Sequence, residues 1–423
     1  MKTYEKYKDS DIEWIGEIPT DWNVTRLRYR GKSIIGITYK PDEVSDETNG
    51  TLVLRSSNVQ NGKLDFKDCV YVDKKIQENQ LVKEGDILVC ARNGSAHLVG
   101  KCAYIPKEWE NVSFGAFMSI VRTDLDKFLF YYFNSQVFKG QKGLFATSTI
   151  NQLTSNMLNN LDIPIPPTKE EQNAIANYLD KKTPEIDQLI AEKEQLVALY
   201  QEEKTALINQ AVTKGINLDV KLKDSGIEWL GDIPEHWEVK RFKYYFDLIT
   251  SKIDKELKKI GLENIESKTG KFKVTNTEFA GDGIHFMPND ILFGKLRPYL
   301  AKVWLATFEG KAVGDFYSFR VKKEVLPTFA KYRILDESFI NITNSSSYGS
   351  KMPRVSWEYI ANLFIAFPNI KEQTDIVNFV EKESARINAK ISKAEQYINL
   401  LTEYRTALIS EVVTGKIKVI DLK

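Results

Sequence analysis

Two short motifs carry residues that could take part in catalysis. The letters GKS at Gly31–Ser33 offer the lysine and hydroxyl of a phosphate-binding loop, but Arg26 stands where that loop needs a glycine. The letters IPPT at Ile165–Thr168 are similar to the tetrapeptide of amino-methyltransferases, yet they lack its polar first residue and its aromatic last residue. We therefore predict no phosphate loop at the first motif and the exit from a strand at the second.

A nuclease centre could also be assembled from Asp42, Asp65 and Lys67, because two carboxylates and a lysine can hold Mg²⁺. Charged residues make up 28% of the chain, so acidic residues reach such spacings by chance. The histidines have no cysteine or histidine neighbour at metal-ligand spacing. They are His97, His236 and His285. The sequence thus predicts no catalytic residue, no metal site and no cofactor of its own, with the nuclease kept as an alternative.

Polar and basic loops recur at matching places in the two halves of the chain. Arginine, asparagine, glutamine and serine side chains can match the donor and acceptor patterns on base edges, so these loops are the candidate DNA contacts. The alternative is that they are ordinary solvated loops. The candidates are Arg55, Ser57, Asn58, Arg92, Asn93, Ser95, Ser148, Asn151 and Gln152 in the first half, and Lys295, Arg297, Tyr299, Ser347, Ser350, Lys351 and Arg354 in the second.

The elements that position these loops are duplicated. Asp9–Tyr29 and Asp224–Tyr244 are identical at 12 of 21 aligned positions. A second repeat relates the segment that begins at Glu171 to the segment that begins at Glu372. A weaker similarity relates GDILVCARNG, which begins at Gly85, to NDILFGKLRP, which begins at Asn289. The period of about 200 residues is too long for a solenoid repeat and indicates a duplicated domain followed by a helical segment.

The helical segments carry an apolar stripe. Apolar residues recur at spacings of three, four and seven between Ile186 and Ala211, and again between Ile387 and Val412. Thr183–Pro184 suits a helix N-cap followed by a proline in the first turn. A long helix with one apolar stripe needs a partner, and each copy is the natural partner of the other. Ordinary core packing of each helix is the alternative.

The composition excludes several classes of protein. The 423 residues are 42% apolar and carry a formal net charge of +1, which is unlike a free-standing binder of any nucleic acid sequence. No stretch reaches eighteen consecutive apolar residues, and the first residues lack the apolar core of a signal peptide. Three cysteines without a CxxC pair fit a reducing compartment. We expect a cytoplasmic protein.

The phrases IEWIGEIPTDWNVTRL, IEWLGDIPEHWEVKRF and IPIPPTKEEQNAIANYLD, together with their order, resemble the specificity subunit of type I restriction–modification enzymes. The resemblance covers essentially the whole chain. It implies an α+β fold in which two globular α/β target-recognition domains are joined by two long antiparallel helices that form a coiled coil with pseudo-two-fold symmetry. The implied domains are residues 1–167 and 216–368, and the implied helical spacers are residues 168–215 and 369–423.

The resemblance also implies a function without catalysis. Each target-recognition domain would read one half of a bipartite site in double-stranded DNA. The chain would bind two modification subunits, which carry S-adenosylmethionine and methylate adenine, and restriction subunits that use ATP and Mg²⁺. A duplicated coiled-coil scaffold that binds only proteins is the alternative function, and the near-neutral net charge is compatible with it.

Overall fold

The computed structural model describes residues 2–145 and 151–420, which form two compact units. Unit 1 comprises residues 1–194 and 396–423, and unit 2 comprises residues 195–395. The predicted α+β class is confirmed, because each unit combines antiparallel sheets with short helices and with parts of two long helices. Among the described residues, no helix is both long enough and apolar enough to cross a membrane.

Unit 1 begins with fourteen strands and three short helices among its described residues. The strands are β1 (Tyr7–Asp9), β2 (Glu17–Pro19), β3 (Asn23–Arg26), β4 (Gly31–Ile35), β5 (Val44–Ser45), β6 (Thr51–Leu54), β7 (Val59–Gln60), β8 (Lys63–Leu64), β9 (Tyr71–Val72), β10 (Ile87–Cys90), β11 (Cys102–Tyr104), β12 (Ser113–Phe114), β13 (Met118–Thr123) and β14 (Asp162–Ile165). The short helices are α1 (Lys127–Phe133), α2 (Gln136–Phe145) and α3 (Ser155–Asn159). The first long helix, α4, spans Lys169–Lys214.

Unit 2 repeats this plan in a shorter form. Its strands are β15 (Leu222–Asp224), β16 (Asp232–Pro234), β17 (Glu238–Arg241), β18 (Phe246–Ile249), β19 (Lys259–Ile260), β20 (Ile284–Phe286), β21 (Ile291–Gly294), β22 (Val303–Leu305), β23 (Gly310–Ala312), β24 (Phe316–Val321) and β25 (Phe364–Phe367). Its short helices are α5 (Pro327–Leu335), α6 (Glu337–Ser345) and α7 (Trp357–Asn362). The second long helix, α8, spans Ile370–Val413.

The central sheet has the same strand order in both units. It runs β11-β10-β13-β4 in unit 1 and β22-β21-β24-β18 in unit 2, with every neighbouring pair antiparallel. A second sheet contains one parallel pair in each unit, β6 with β12 and β19 with β23. The duplication of the sequence is therefore also a duplication of topology, and it extends into blocks whose sequences differ.

A buried aspartate accounts for the weak sequence similarity between the segments that begin at Gly85 and Asn289. Asp86 accepts two hydrogen bonds from the guanidinium of Arg122, at 2.8 and 2.6 Å, and a third from the backbone N–H of Lys83. In unit 2 Asp290 accepts the same two bonds from Arg320, at 2.8 and 2.7 Å, and one from a backbone N–H. Each carboxylate thus closes the turn before a central strand and ties that strand to its neighbour.

The long helices begin at capped positions. The Thr168 hydroxyl accepts the backbone N–H of Glu171 at 3.2 Å, and the Asn369 side chain accepts that of Glu372 at 3.0 Å. Side-chain acceptors at the N-cap satisfy N–H groups that have no partner inside the helix. The predicted helix start at Thr183–Pro184 was therefore wrong, because Pro184 lies inside α4. The preceding Thr183 hydroxyl instead donates a hydrogen bond to the Leu179 carbonyl oxygen.

The two long helices pack together and run antiparallel, as predicted. In unit 1 Arg405 of α8 pairs with Asp187 of α4 at 2.6 Å. In unit 2 Lys204 of α4 donates to the Asn388 side chain of α8 at 3.0 Å. Because the partner's number falls as the number on α4 rises, the chains of the two helices have opposite directions. Part of the apolar stripe lies in the cores of the units, including Ile186 in unit 1 and Ala211 in unit 2, whereas Leu189 is 45% exposed.

We expect Asp86→Ala to lower the free energy of unfolding of unit 1 by about 3 kcal/mol, because it leaves a partly buried arginine without its carboxylate. Asp290→Ala should cost unit 2 less, since the Arg320 side chain is 47% exposed against 24% for Arg122 and can be rehydrated. Hydrogen exchange followed by peptide mass spectrometry would report each unit separately. Equal losses in the two units would contradict the role given to burial.

Candidate nucleic-acid interface

Two predicted loops of unit 1 are joined by their backbones. Arg92 and Gln152 form an antiparallel bridge, and the Leu153 N–H donates to the Ala91 carbonyl at 2.7 Å. The Asn151 side chain closes the junction, because its Nδ2 donates to the Gly94 carbonyl at 2.9 Å. The loop after β10 and the segment before α3 therefore form one surface, although 60 residues separate Arg92 from Gln152 in the sequence.

This surface opens into a cleft of about 980 Å³. The predicted residues on its lining are Arg55, Ser57, Arg92, Asn93 and Asn151. Asp68 also lines the cleft and pairs with Arg55 at 2.7 Å, so the charge of Arg55 is balanced within unit 1. The Arg92 side chain is exposed and has no acidic partner among the described residues, which leaves its guanidinium available to a ligand.

The other predicted residues of unit 1 differ from Arg92 in their position relative to the cleft or in their hydrogen bonds. Ser95 and Gln152 are exposed, but neither lines the cleft. Ser148 lies outside the described residues. The Asn93 side chain donates to the Ser56 hydroxyl at 3.0 Å and accepts the Ser95 N–H at 3.0 Å, so it also shapes its own loop.

Asn58 is a structural residue of its turn. Its side chain is fully buried; its oxygen accepts the Arg55 N–H at 2.8 Å, and its nitrogen donates to the carbonyls of Asp65 and Asp68, both at 2.9 Å. In unit 2 the Asn264 oxygen accepts the Gly261 N–H at 2.9 Å, and its nitrogen donates to the Lys273 carbonyl at 3.1 Å and to the Thr275 hydroxyl at 3.0 Å. Because burial and these bonds occupy the amide, we leave Asn58 out of the proposed interface.

Unit 2 builds the corresponding surface with the same backbone bonds. Leu296 and Arg354 form the antiparallel bridge, and the Val355 N–H donates to the Lys295 carbonyl at 3.2 Å. The Arg297 N–H donates to the Pro353 carbonyl at 2.7 Å, as the Asn93 N–H does to Asn151 in unit 1. The predicted loops GKLRPY and SSSYGSKMPR are therefore adjacent in space.

The side chains on this surface differ from those of unit 1. Arg354 donates two hydrogen bonds to Asp315, at 3.0 and 2.8 Å, and the carboxylate raises the pKa of Arg354. Arg297 adopts a left-handed backbone conformation, and its Nη2 donates to the Lys351 carbonyl at 3.3 Å. The Lys295 ammonium lies 5.1 Å from the centre of the Tyr317 ring.

The remaining predicted residues of unit 2 lie around these arginines. Tyr299, Ser350 and Lys351 are exposed, whereas the Ser347 hydroxyl donates to the Asn344 carbonyl at 2.7 Å. Sequence reasoning missed Tyr348, whose side chain is 63% exposed and whose backbone pairs with Arg354 in both directions. The available signal was its position between Ser347 and Gly349, which favours a turn tip.

The motifs that suggested catalysis have structural explanations. Gly31–Ser33 lies in strand β4, and Ile165–Thr168 joins strand β14 to helix α4 as expected. Within residues 2–145 and 151–420, no group of three or more histidine, cysteine, aspartate or glutamate residues could hold a metal ion. His236 and His285 instead contact Glu372 and Glu309, at 2.6 and 3.0 Å.

Comparisons with known proteins agree with this arrangement. The family model described as "Type I restriction modification DNA specificity domain" matches residues 19–198. The chain is 24% identical to the EcoKI specificity subunit of Escherichia coli, over 92% of this chain and 88% of that protein. It is 25% identical to the putative MjaX specificity subunit of Methanocaldococcus jannaschii, over 98% and 97% of the two chains.

Solved structures show the same fold. A chain from a study of the complex assembly and conformational transition of a type I restriction–modification system aligns with a TM-score of 0.68 at 15% identity, over 95% of this chain and 99% of that one. The HsdS subunit of Thermoanaerobacter tengcongensis aligns with a TM-score of 0.54 at 14% identity, over 95% and 98%. The family model and the relatives aligned over nearly their whole length show that the chain is similar to type I restriction enzyme specificity subunits.

We expect Asn58→Ala to destabilise unit 1 by about 2 kcal/mol, because it leaves buried backbone groups without partners, and to leave base preference unchanged. Asn264→Ala is the matched variant for unit 2. Thermal unfolding would measure the first effect, and selection of DNA sequences from a random pool would measure the second. A stable Asn58→Ala variant with altered base preference would return Asn58 to the interface.

Proposed function

We propose that the chain is the DNA sequence-recognition subunit of a type I restriction–modification complex and that each unit reads one half of a bipartite target. The observation that carries the proposal is a pair of surfaces with the same backbone bonds and different side chains. The chain itself is not an enzyme, and partner subunits would carry out methylation or cleavage.

The side-chain differences predict that the two half-sites differ in sequence. Arg92 corresponds to Leu296 and Gln152 to Arg354, because each pair occupies the same place in the bridge. A change of donors and acceptors on a fixed backbone changes which base edges can be matched, while the approach to the DNA stays the same.

Two identical modification subunits are the proposed partners. Leu199 and Leu400 occupy equivalent positions of the repeated helical sequence, one in unit 2 and the other in unit 1. Their side chains are 51% and 59% exposed. Equivalent exposed leucines on α4 and α8 suit two copies of one partner. A net charge of only +1 further suggests that partners help to neutralise DNA phosphates.

The proposed assembly places cofactors on the partners. S-adenosylmethionine would bind the modification subunits, and ATP with Mg²⁺ would bind the restriction subunits. Cys69, Cys90 and Cys102 are free thiols, which supports a reducing cytoplasm as the proposed location.

The function is tested with the complex of the chain and its modification subunits on a pool of random DNA. We expect adenine methylation at one split motif, and none with either component alone. A complex that binds protein partners but selects no DNA sequence would favour the scaffold alternative. DNA cleavage by the pure chain with Mg²⁺ would favour the nuclease alternative of Asp42 and Asp65.

We expect Arg92→Ala to relax the base preference in one half-site and Arg297→Ala to relax it in the other. A bidentate arginine–guanine contact contributes about 1–3 kcal/mol of discrimination. The measurement is the methylated motif selected by each variant complex, and the untouched half-site serves as its internal control. A uniform loss of affinity for all sequences would instead assign these arginines to phosphate contacts.

We expect Leu400→Glu and Leu199→Glu each to remove one modification subunit, and the double variant to remove both. A charge on an exposed apolar contact opposes docking but leaves the folded core intact. Native mass spectrometry would count the subunits bound to each variant. Leu218→Glu is a control, because Leu218 is also exposed but lies beyond the end of α4. Full occupancy of both partners in the double variant would contradict the proposed docking positions.

A further inference from the structure

Phe117 is an exposed aromatic residue on the cleft of unit 1. Its side chain is 60% exposed, although phenylalanine loses a favourable contribution by remaining in water. It lines the cleft together with the candidate residues Arg92 and Asn93. Single exposed apolar residues are common on protein surfaces, so the position among convergent polar groups is what distinguishes this one.

The backbone holds Phe117 rigidly beside Arg92. The Phe117 carbonyl accepts two hydrogen bonds, from the N–H of Ala91 at 2.9 Å and from that of Arg92 at 3.0 Å. The Arg92 guanidinium carbon lies 5.4 Å from the centre of the Phe117 ring, within the range of a cation–π contact. An apolar surface and a hydrogen-bond donor are thus presented side by side on a fixed support.

Unit 2 has a carboxylate at the corresponding position. The Lys295 N–H donates to the Asp315 carbonyl at 2.9 Å, as the Ala91 N–H does to Phe117, so Asp315 is the equivalent residue. Its side chain binds Arg354 and offers no apolar surface. At this one position, therefore, unit 1 offers an aromatic side chain and unit 2 a carboxylate.

We propose that Phe117 recognises a thymine by contact with its C5-methyl group, beside the base pair that Arg92 contacts. The major groove displays this methyl group next to hydrogen-bonding atoms, and phenylalanine is among the side chains that contact it. An arginine contact to guanine next to an apolar contact to thymine would define two adjacent bases. The inference rests on the proposed function and names one base class that the unit 1 surface selects.

The test removes the methyl group from the DNA. The wild-type complex with modification subunits is offered its selected site with each thymine in turn replaced by deoxyuridine, and binding is measured. We expect one thymine of the half-site read by unit 1 to lose roughly fourfold in affinity, the value of one buried methyl group. The Phe117→Ala complex should bind thymine and deoxyuridine equally at that position, and Phe117→Leu should keep part of the preference.

Internal controls separate the outcomes. In the half-site read by unit 1, Asp315→Ala should leave the ratio of the affinities for thymine and deoxyuridine unchanged at every position. Thermal unfolding should show that Phe117→Ala is folded. If the wild-type complex selects a split motif but no thymine shows a methyl effect that depends on Phe117, the inference is overturned and the proposed function stands. If the wild-type complex selects no split motif, the proposed function fails and the inference fails with it.

Discussion

The tryptophan–glutamate hydrogen bond is the contact on which the architecture depends. The buried Trp22 indole N–H donates to Glu171 at 3.2 Å, and that of Trp237 donates to Glu372 at 3.1 Å. Each glutamate stands in the first turn of a long helix, where its charge also favours the N-terminal end of the helix dipole. Since indole is bulky and glutamate is fixed by the capped turn, the globular part of each unit is held at one place on its helix.

The same tryptophans also receive the end of the other helix. In unit 1 a Cβ at Gly415 would lie 2.5 Å from Pro19 and 3.3 Å from Trp22, and φ there is +74°. In unit 2 Gly215 has φ of +79°, and a Cβ there would make ordinary van der Waals contacts, at 3.4 Å with Glu372 and at 3.8 Å with Trp237. Positive φ and close approach both favour glycine. The repeated segments Asp9–Tyr29 and Asp224–Tyr244 had to be preserved together with the long helices. The reason is that each tryptophan contacts the beginning of one helix and the end of the other.

Most of the fold could be predicted from the sequence repeats, because segments with the same sequence make the same contacts. The helix start was misplaced because Thr183–Pro184 resembles a cap, whereas the true cap at Thr168 follows two prolines that suggested only a strand exit. The interface was less predictable. Asn58 and Asn93 look alike in sequence, but only the backbone path decides that Asn58 is buried. Phe117 gave no signal, because its exposure depends on backbone bonds to Ala91 and Arg92.

Unit 1 is built from two separate stretches of chain, and this fixes an order of events during synthesis on the ribosome. Its core contains Leu408, Ile409, Val412 and Val413 of α8 together with Trp22 and Ile175. Unit 2 draws only on residues 195–395 and is translated completely before the last stretch of unit 1. During translation, part of the apolar surface of unit 1 therefore stays uncovered until the end of α8 has been synthesised. By then the whole sequence of unit 2 has been translated and is able to fold.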